Sequence, residues 1–131
     1  MKNKKNENSL RPLSIADIVF GEEYLLMEMW RDGSRHVKKL VIIEELRSEN
    51  SNRCLIVRKT GKSDEFCHDF SELGLIPVKR AGKWRVFENT PENFKALIRL
   101  ASDDSPEKYL ELIDCEEEAE TQAILLTIFH F

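Results

Sequence analysis

The charge and the hydrophobic pattern of this chain change together near Phe87. The residues through Phe87 carry 17 Lys and Arg against 13 Asp and Glu, whereas the residues after it carry 3 against 11. At the same point, short apolar runs separated by turn residues give way to apolar residues at helical spacing. The chain therefore joins a basic, strand-rich part to an acidic, helical part. These two parts either pack on each other or present charged surfaces to partners.

Five or six short strands are predicted before Phe87. The segments EYLLMEMW and HVKKLVIIEEL flank an Asp32-Gly33 turn, which indicates a hairpin. The second segment does not alternate cleanly, which predicts a bulge or burial on both sides. CLIVRK and EFCHDF follow as further strands, and residues 75–80 and 83–87 are predicted to pair across Ala81-Gly82. We also expect Gly74 to adopt a backbone conformation that other residues avoid.

The last part of the chain carries two helix start signals. Thr90 precedes Pro91, and Ser105 precedes Pro106, so each pair places an N-cap residue before a proline at the first helical position. Two helices joined by a short turn predict an antiparallel pair. The terminal segment AILLTIFHF suits either a continuing helix, which we favour through about Ile128, or a final strand of the sheet.

The fold class predicted from these patterns is α+β: a small bent antiparallel sheet or an SH3-like barrel, followed by a C-terminal antiparallel helix pair. A length of 131 residues and 41% apolar content suit one core. We expect a disordered tail over residues 1–9 and a single domain over 10–131, in which 10–88 is the β-rich basic part and 89–131 the acidic helical part.

The sequence lacks a secretory segment and a long apolar run, which predicts a cytoplasmic protein without membrane contact. Three cysteines at wide spacing in such a chain favour reduced thiols over a disulfide framework. The neighbours Cys67 and His68 lack the spacing of a metal site and the surroundings of a nucleophile. The carboxylate pairs are typical of solvated surface, and no phosphate-binding glycine motif is present. We therefore expect no enzyme, no metal and no cofactor.

The strongest binding candidate is the basic hairpin KRAGKWR. A protruding loop of cations around an aromatic ring can grip phosphates or a partner's side chains. Trp84 alternates with charged neighbours, so the alternative is that its ring faces the core. A second basic cluster, at Arg31, Arg35, Lys38 and Lys39 beside Trp30, would enlarge the patch if both hairpins share a face. The hairpin residues predicted to bind are Lys79, Arg80, Lys83, Trp84 and Arg85.

An acidic surface is the other binding candidate, at Glu116, Glu117, Glu118 and Glu120. It suits a small acidic inhibitor that occupies a basic groove of another protein, and the alternative is a solvated helix face. The leading hypothesis is a small intracellular binding protein, encoded by a phage or mobile element, that docks on a larger protein or complex and modulates or inhibits it. Nucleic-acid binding through the hairpin around Trp84 is the alternative, and the apolar residues 124–131 offer a surface for self-association.

Overall fold

The computed structural model describes residues 10–47, 53–76 and 82–113 of the chain. The strands are β1 (Glu23–Met29), β2 (Arg35–Arg47), β3 (Arg53–Lys59), β4 (Glu65–Asp69) and β5 (Arg85–Glu88). Two 3-10 turns, Ile15–Asp17 and Phe70–Leu73, precede β1 and follow β4. Helix α1 (Pro91–Ser102) follows β5, and the described part of helix α2 covers residues 107–113.

The strands form one antiparallel sheet in the order β4-β3-β2-β1-β5. Strands β1 to β4 are a meander, and β5 returns to pair with β1. The prediction of a small bent antiparallel sheet followed by C-terminal helices is confirmed. Within the described ranges the sheet is open, with β4 and β5 at its two edges.

The first hairpin and the irregular second strand follow the sequence pattern. Ser34 donates its backbone N–H to Asp32 Oδ1 at 2.9 Å, and Gly33 adopts a φ of +87° between β1 and β2. Hydrogen bonds from Ser34 hold the pKa of Asp32 below its usual value. The register between β2 and β3 shifts between Ile42 and Glu44, so the predicted bulge is present. Such a bulge bends a long strand and increases its twist.

The strand predicted over residues 75–80 is wrong in its described part, because Leu75 and Ile76 are outside any strand. The 3-10 turn at Phe70–Leu73 ends at Gly74, and the Leu75 N–H donates back to the Phe70 carbonyl at 3.0 Å. The Leu75 carbonyl then accepts from the Ile15 N–H. These local bonds use the backbone groups that a strand at Leu75 would need, and β5 pairs with β1 instead.

Both faces of the sheet are covered by buried apolar side chains. The turn face is the side covered by the 3-10 turns, and the helix face is the side covered by α1 and α2. The core of the turn face contains Leu13, Tyr24, Leu26, Leu40, Ile42, Leu55, Val57, Phe70, Leu73, Leu75 and Val86. The core of the helix face contains Leu25, Met27, Phe87, Leu97, Tyr109 and Ile113. The strand-rich and helical parts of the chain therefore pack on each other.

Residues 1–9 and the terminal segment from Ile124 to Phe131 lie outside the described residues, as do their predicted tail and helix. Neither helix in the described ranges has the length and apolar character that crossing a bilayer requires.

Candidate functional site

The structure separates the residues of the predicted basic hairpin. Lys79 and Arg80 lie outside the described residues, as do the acidic candidates Glu116, Glu117, Glu118 and Glu120. Lys83 is exposed, Trp84 is half-buried and Arg85 is buried. The three described residues of this segment thus lie partly in solvent and partly in the interior.

Arg85 has a structural role at the start of β5. Its side chain is 2% exposed, and its Nη1 donates to the carbonyls of Gly82 and Trp84 at 2.6 Å each. It lies near Tyr109, whose hydroxyl donates to the Lys83 carbonyl at 2.6 Å. Burial raises the pKa of Tyr109 well above its ordinary value, although the nearby Arg85 charge opposes that shift. These bonds fix the described end of the hairpin against α2.

Trp84 lies on the turn face and packs against its core. Its indole Nε1 donates to the Met29 carbonyl at 3.1 Å, which ties the start of β5 to the end of β1. This placement agrees with the core-facing alternative for Trp84. Trp84 also lines the cavity described below.

The second basic cluster is also divided between surfaces. Arg35 is buried, and its guanidinium donates to the carbonyls of Gly33, Leu100 and Asp103. Lys38 and Lys39 are exposed and, as neighbours on a strand, point to opposite sides of the sheet. The Lys39 ammonium lies 5.3 Å from the centre of the Phe94 ring on α1. The described residues of the two hairpins therefore do not form one continuous basic patch.

An ion pair between buried Glu28 and partly exposed Lys59 joins β1 to β3. The Glu28 side chain is 2% exposed, and it accepts from Lys59 Nζ at 2.7 Å and from Trp30 Nε1 at 3.1 Å. The Trp30 ring is 51% exposed and lies 4.2 Å from the His36 ring, centre to centre. The sequence reasoning missed this cluster. The sequence signal for this cluster is Glu28, a carboxylate inside the apolar run EYLLMEMW. In the sheet Glu28 pairs with Lys59 on β3, two strands away.

A cavity of about 220 Å³ opens on the turn face beside this ion pair. Its floor is apolar and comes from the three central strands, while edge strand β4 and the start of β5 supply its walls. The lining residues are Leu26, Leu40, Val57, Lys59, Phe66, His68, Leu73 and Trp84. Because the Lys59 ammonium already pairs with Glu28, the cavity presents mainly hydrocarbon and aromatic surface to a ligand.

The wall formed by β4 is the exposed side of the cavity. Phe66 and His68 are two residues apart on this strand and pair with Val57 and Leu55 of β3, so both side chains point to the turn face. Phe66 is 56% exposed, and His68 Nδ1 lies 3.9 Å from Glu72 Oε1. The two-residue spacing of Phe66 and His68, and of Val57 and Lys59, is visible in the sequence and places each pair on one face of its strand. The sequence does not show the cavity that the fold leaves between β4 and Trp84.

The opposite side of β4 carries a disulfide between Cys54 and Cys67. Cys54 pairs in register with Asp69 and Cys67 with Ile56, so the two cysteines are diagonal neighbours on β3 and β4, with Cα atoms 6.1 Å apart. The expectation of reduced thiols for these two residues is therefore corrected. Their wide separation in sequence concealed the fact that the meander makes their strands adjacent.

Metal-binding side chains are not gathered in the described part of the chain. No group of three or more His, Cys, Asp or Glu side chains is placed there to hold an ion.

Comparisons with known proteins give a partial match to an uncharacterized protein. No family model matches the chain, and no solved structure matches it. An uncharacterized protein of Methanocaldococcus jannaschii is 36% identical over 52 residues, which cover 40% of this chain and 56% of that protein. The chain thus matches little more than half the length of this relative, and the relative's name carries no statement of activity.

Proposed function

We propose that the protein is a non-enzymatic, cytoplasmic binding protein that docks on a larger protein and regulates or inhibits it. The docking site is the turn-face cavity together with the edge of β4. An extended segment of the partner lies along β4 and inserts an apolar side chain between Phe66 and Trp84.

The observation that carries this proposal is that one edge strand supplies a wall of the cavity. Among the described strands β4 pairs with β3 alone, and the backbone N–H and C=O groups on its other edge lie beside Phe66 and His68. Strand addition at a sheet edge gives affinity through main-chain hydrogen bonds, and a neighbouring pocket gives specificity for alternate side chains. An edge that adjoins a pocket therefore offers both parts of this recognition mode.

The chemistry of the cavity selects an apolar group over a charged one. Its floor consists of Leu26, Leu40 and Val57, and the Lys59 charge is neutralised by Glu28. An incoming carboxylate would compete with Glu28 for the Lys59 ammonium. An incoming cation would be repelled by that ammonium at short range. A leucine or aromatic side chain instead gains free energy from burial in proportion to its apolar area.

Selection from a phage-displayed library of random peptides tests the proposal. Enriched peptides should share a large apolar residue within an extended segment and should bind the purified protein in calorimetry. Phe66→Ala should weaken that binding by about 10- to 100-fold, because loss of a buried aromatic contact is worth about 1.5–3 kcal/mol. Phe20→Ala is the matched control, because Phe20 is also an exposed aromatic and does not line the cavity.

Two results would overturn the proposal. One is the failure of any peptide to enrich, and the other is equal binding of the enriched peptides to Phe66→Ala and to Phe20→Ala. The competing hypothesis, nucleic-acid binding, is tested by fluorescence anisotropy titrations of the protein with single-stranded DNA and RNA at several salt concentrations. Binding that falls steeply with salt and is lost in Lys83→Ala would replace docking on a protein with nucleic-acid recognition.

A further inference from the structure

We infer that the Cys54–Cys67 disulfide controls binding at the turn-face cavity, and that its reduction lowers the affinity for the partner. This inference rests on the proposed function. It concerns the regulation of the same site, because the strand that holds one cysteine also holds a wall of the cavity.

The geometry places the covalent bond directly behind that wall. Cys67 lies between Phe66 and His68 in β4, and its side chain points to the helix face while theirs point to the turn face. The position of Cys67 therefore sets the position of both lining residues. A change at the disulfide reaches the cavity through one peptide unit on either side.

Few other contacts of its own hold β4 in place. The strand pairs with β3 alone within the described sheet, and its side chains are exposed except for the half-buried His68. Segments with few buried contacts and one pairing partner open at low free energy. The disulfide is the covalent tie between β4 and β3, so its loss should raise the frequency of opening.

The residues after β4 limit the opening to the strand itself. Phe70 and Leu73 in the following 3-10 turn are buried in the core of the turn face. The Asp69 N–H also donates to Glu72 Oε1 at 2.7 Å, which closes the start of that turn. The turn thus acts as an anchor, and residues 60–69 form the segment that moves.

The two cysteine residues differ in their exposure to solvent. Cys67 is exposed and Cys54 is half-buried, so an external dithiol attacks Cys67 Sγ through its thiolate. The S–S bond breaks, Cys54 leaves as a thiolate and takes up a proton, and a mixed disulfide joins Cys67 to the reductant. The second thiol of the reductant then displaces Cys67, which is protonated in turn. Two electrons and two protons pass to the protein, and the dithiol becomes a disulfide.

Reversible chemistry of this kind fits the proposed location. Disulfides in reducing compartments are usually transient, catalytic or redox-sensing. The pair lies behind a wall of the cavity, and its Cys67 is exposed. The described geometry therefore favours a sensing role over a catalytic one.

The first experiment compares hydrogen exchange in the oxidised protein and in the same protein reduced with dithiothreitol. Intact mass after alkylation in denaturant should show one free thiol before reduction and three after it. Exchange of those amides in residues 65–69 that bond to β3 should rise by about 10-fold or more on reduction, while amides of α1 should not change. Alkylation of three thiols before reduction, or unchanged exchange in β4, would overturn the inference.

The second experiment measures the affinity of the peptides selected above for both redox forms. Reduction should weaken peptide binding by about 10-fold. A Cys54→Ser, Cys67→Ser double variant should bind the peptides like the reduced protein, and its affinity should not change when dithiothreitol is added. Cys115→Ser is the control that retains the redox response. Equal binding to both forms overturns the inference and leaves the proposed function intact. Absence of binding to the oxidised form removes the proposed function, and the inference with it.

Discussion

At the scale of single residues, Arg35 shows how a charge can serve the fold instead of a surface. Its guanidinium lies at the C-terminal end of α1 and donates to the Leu100 carbonyl at 3.0 Å and to the Asp103 carbonyl. Carbonyls at a helix end lack partners within the helix and carry the negative end of its dipole. The planar fork of donors suits several acceptors at once. Arg35 thereby joins the start of β2 to the end of α1.

Tyr109 gives a prediction for alkaline pH. Its pKa is raised by burial above the ordinary value of 10.0, so the folded state keeps a proton that the unfolded state loses. The unfolded state then binds fewer protons above pH 10, and stability falls as pH rises beyond that point. Tyr109→Phe should cost about 1 kcal/mol at pH 7 through the lost bond to Lys83, yet the wild type's advantage should shrink above pH 10.

Urea unfolding at a series of pH values between 7 and 11 measures this effect. Tyr24→Phe is the control, because it removes another buried hydroxyl, the acceptor of the Val19 N–H at 2.7 Å. It measures at pH 7 the cost of losing a different buried hydroxyl. A Tyr109→Phe profile parallel to that of the wild type would show that Tyr109 does not contribute to the alkaline limb.

Residue roles were predictable from the sequence only where the local pattern determines them. Alternation of Trp84 with charged neighbours offered the correct orientation as one alternative. The sequence predicts Arg35 and Arg85 to be surface cations, because it cannot show which carbonyls the fold brings beside them. The burial of Glu28 likewise depends on Lys59, which lies on β3, two strands away in the sheet.

At the scale of elements, the turn after β4 depends on the absence of a side chain at Gly74. This residue adopts a φ of +69° and closes the 3-10 turn. A Cβ there would be driven against the Trp84 carbonyl and would lie 2.7 Å from Arg85 Nη1. Both neighbours are fixed, since Arg85 is buried and bonded to backbone. The expectation that Gly74 takes an unusual conformation is confirmed, and the close approach is an additional reason for glycine.

Gly74→Ala should therefore destabilise the protein by more than the strain of a positive φ alone, by about 3 kcal/mol or more. Gly61→Ala is the matched control, because Gly61 also has a positive φ, of +85°, and has no atom within 4 Å of the added Cβ. That variant should lose only about 1 kcal/mol. Chemical denaturation of the two variants measures the difference, and equal losses would mean that the crowding at Gly74 relaxes without cost.

The elements themselves were largely predictable because their signals are local. Asp32-Gly33 marks the first hairpin, broken alternation marks the bulge at Ile42, and Thr90 with Pro91 marks the start of α1. Thr90 Oγ1 accepts from the Asn93 N–H at 3.1 Å, as an N-cap should. The prediction of a strand after Gly74 was wrong, because the strand propensity of Leu75 and Ile76 was overridden by the 3-10 turn and by the hydrogen bond from the Ile15 N–H to the Leu75 carbonyl.

At the scale of the whole molecule, one sheet supports two cores. Leu26 of β1 belongs to the turn face, whereas its neighbours Leu25 and Met27 belong to the helix face. The class and the order of the elements were predictable from the change of pattern near Phe87. The cavity was not, because it is the part of the turn face that the 3-10 turns leave uncovered, and its extent depends on how those turns pack.

Because β1 carries side chains of both cores, the sheet and the helices should unfold together. In a Trp30→Phe background, Trp84 fluorescence reports on the turn face, and circular dichroism at 222 nm reports mainly on the helices. Their urea transitions should coincide, as expected for a small two-state domain. Leu97→Ala removes a fully buried side chain of α1 and should lower both midpoints equally, at a cost of about 2–5 kcal/mol.

Ile98→Ala is the matched control for this test, because Ile98 is the next residue of the same helix and is 41% exposed. It should cost well under half as much, since little apolar area is lost on truncation. If the dichroism of Leu97→Ala is lost at lower urea than the fluorescence of Trp84, the helices form a separate unit on a sheet that is stable without them. Coincident shifts instead mean that α1 stabilises the opposite face through the shared strand. A partner bound beside Trp84 would then stabilise the helices as well, because ligand binding to the folded state raises the stability of the whole cooperative unit.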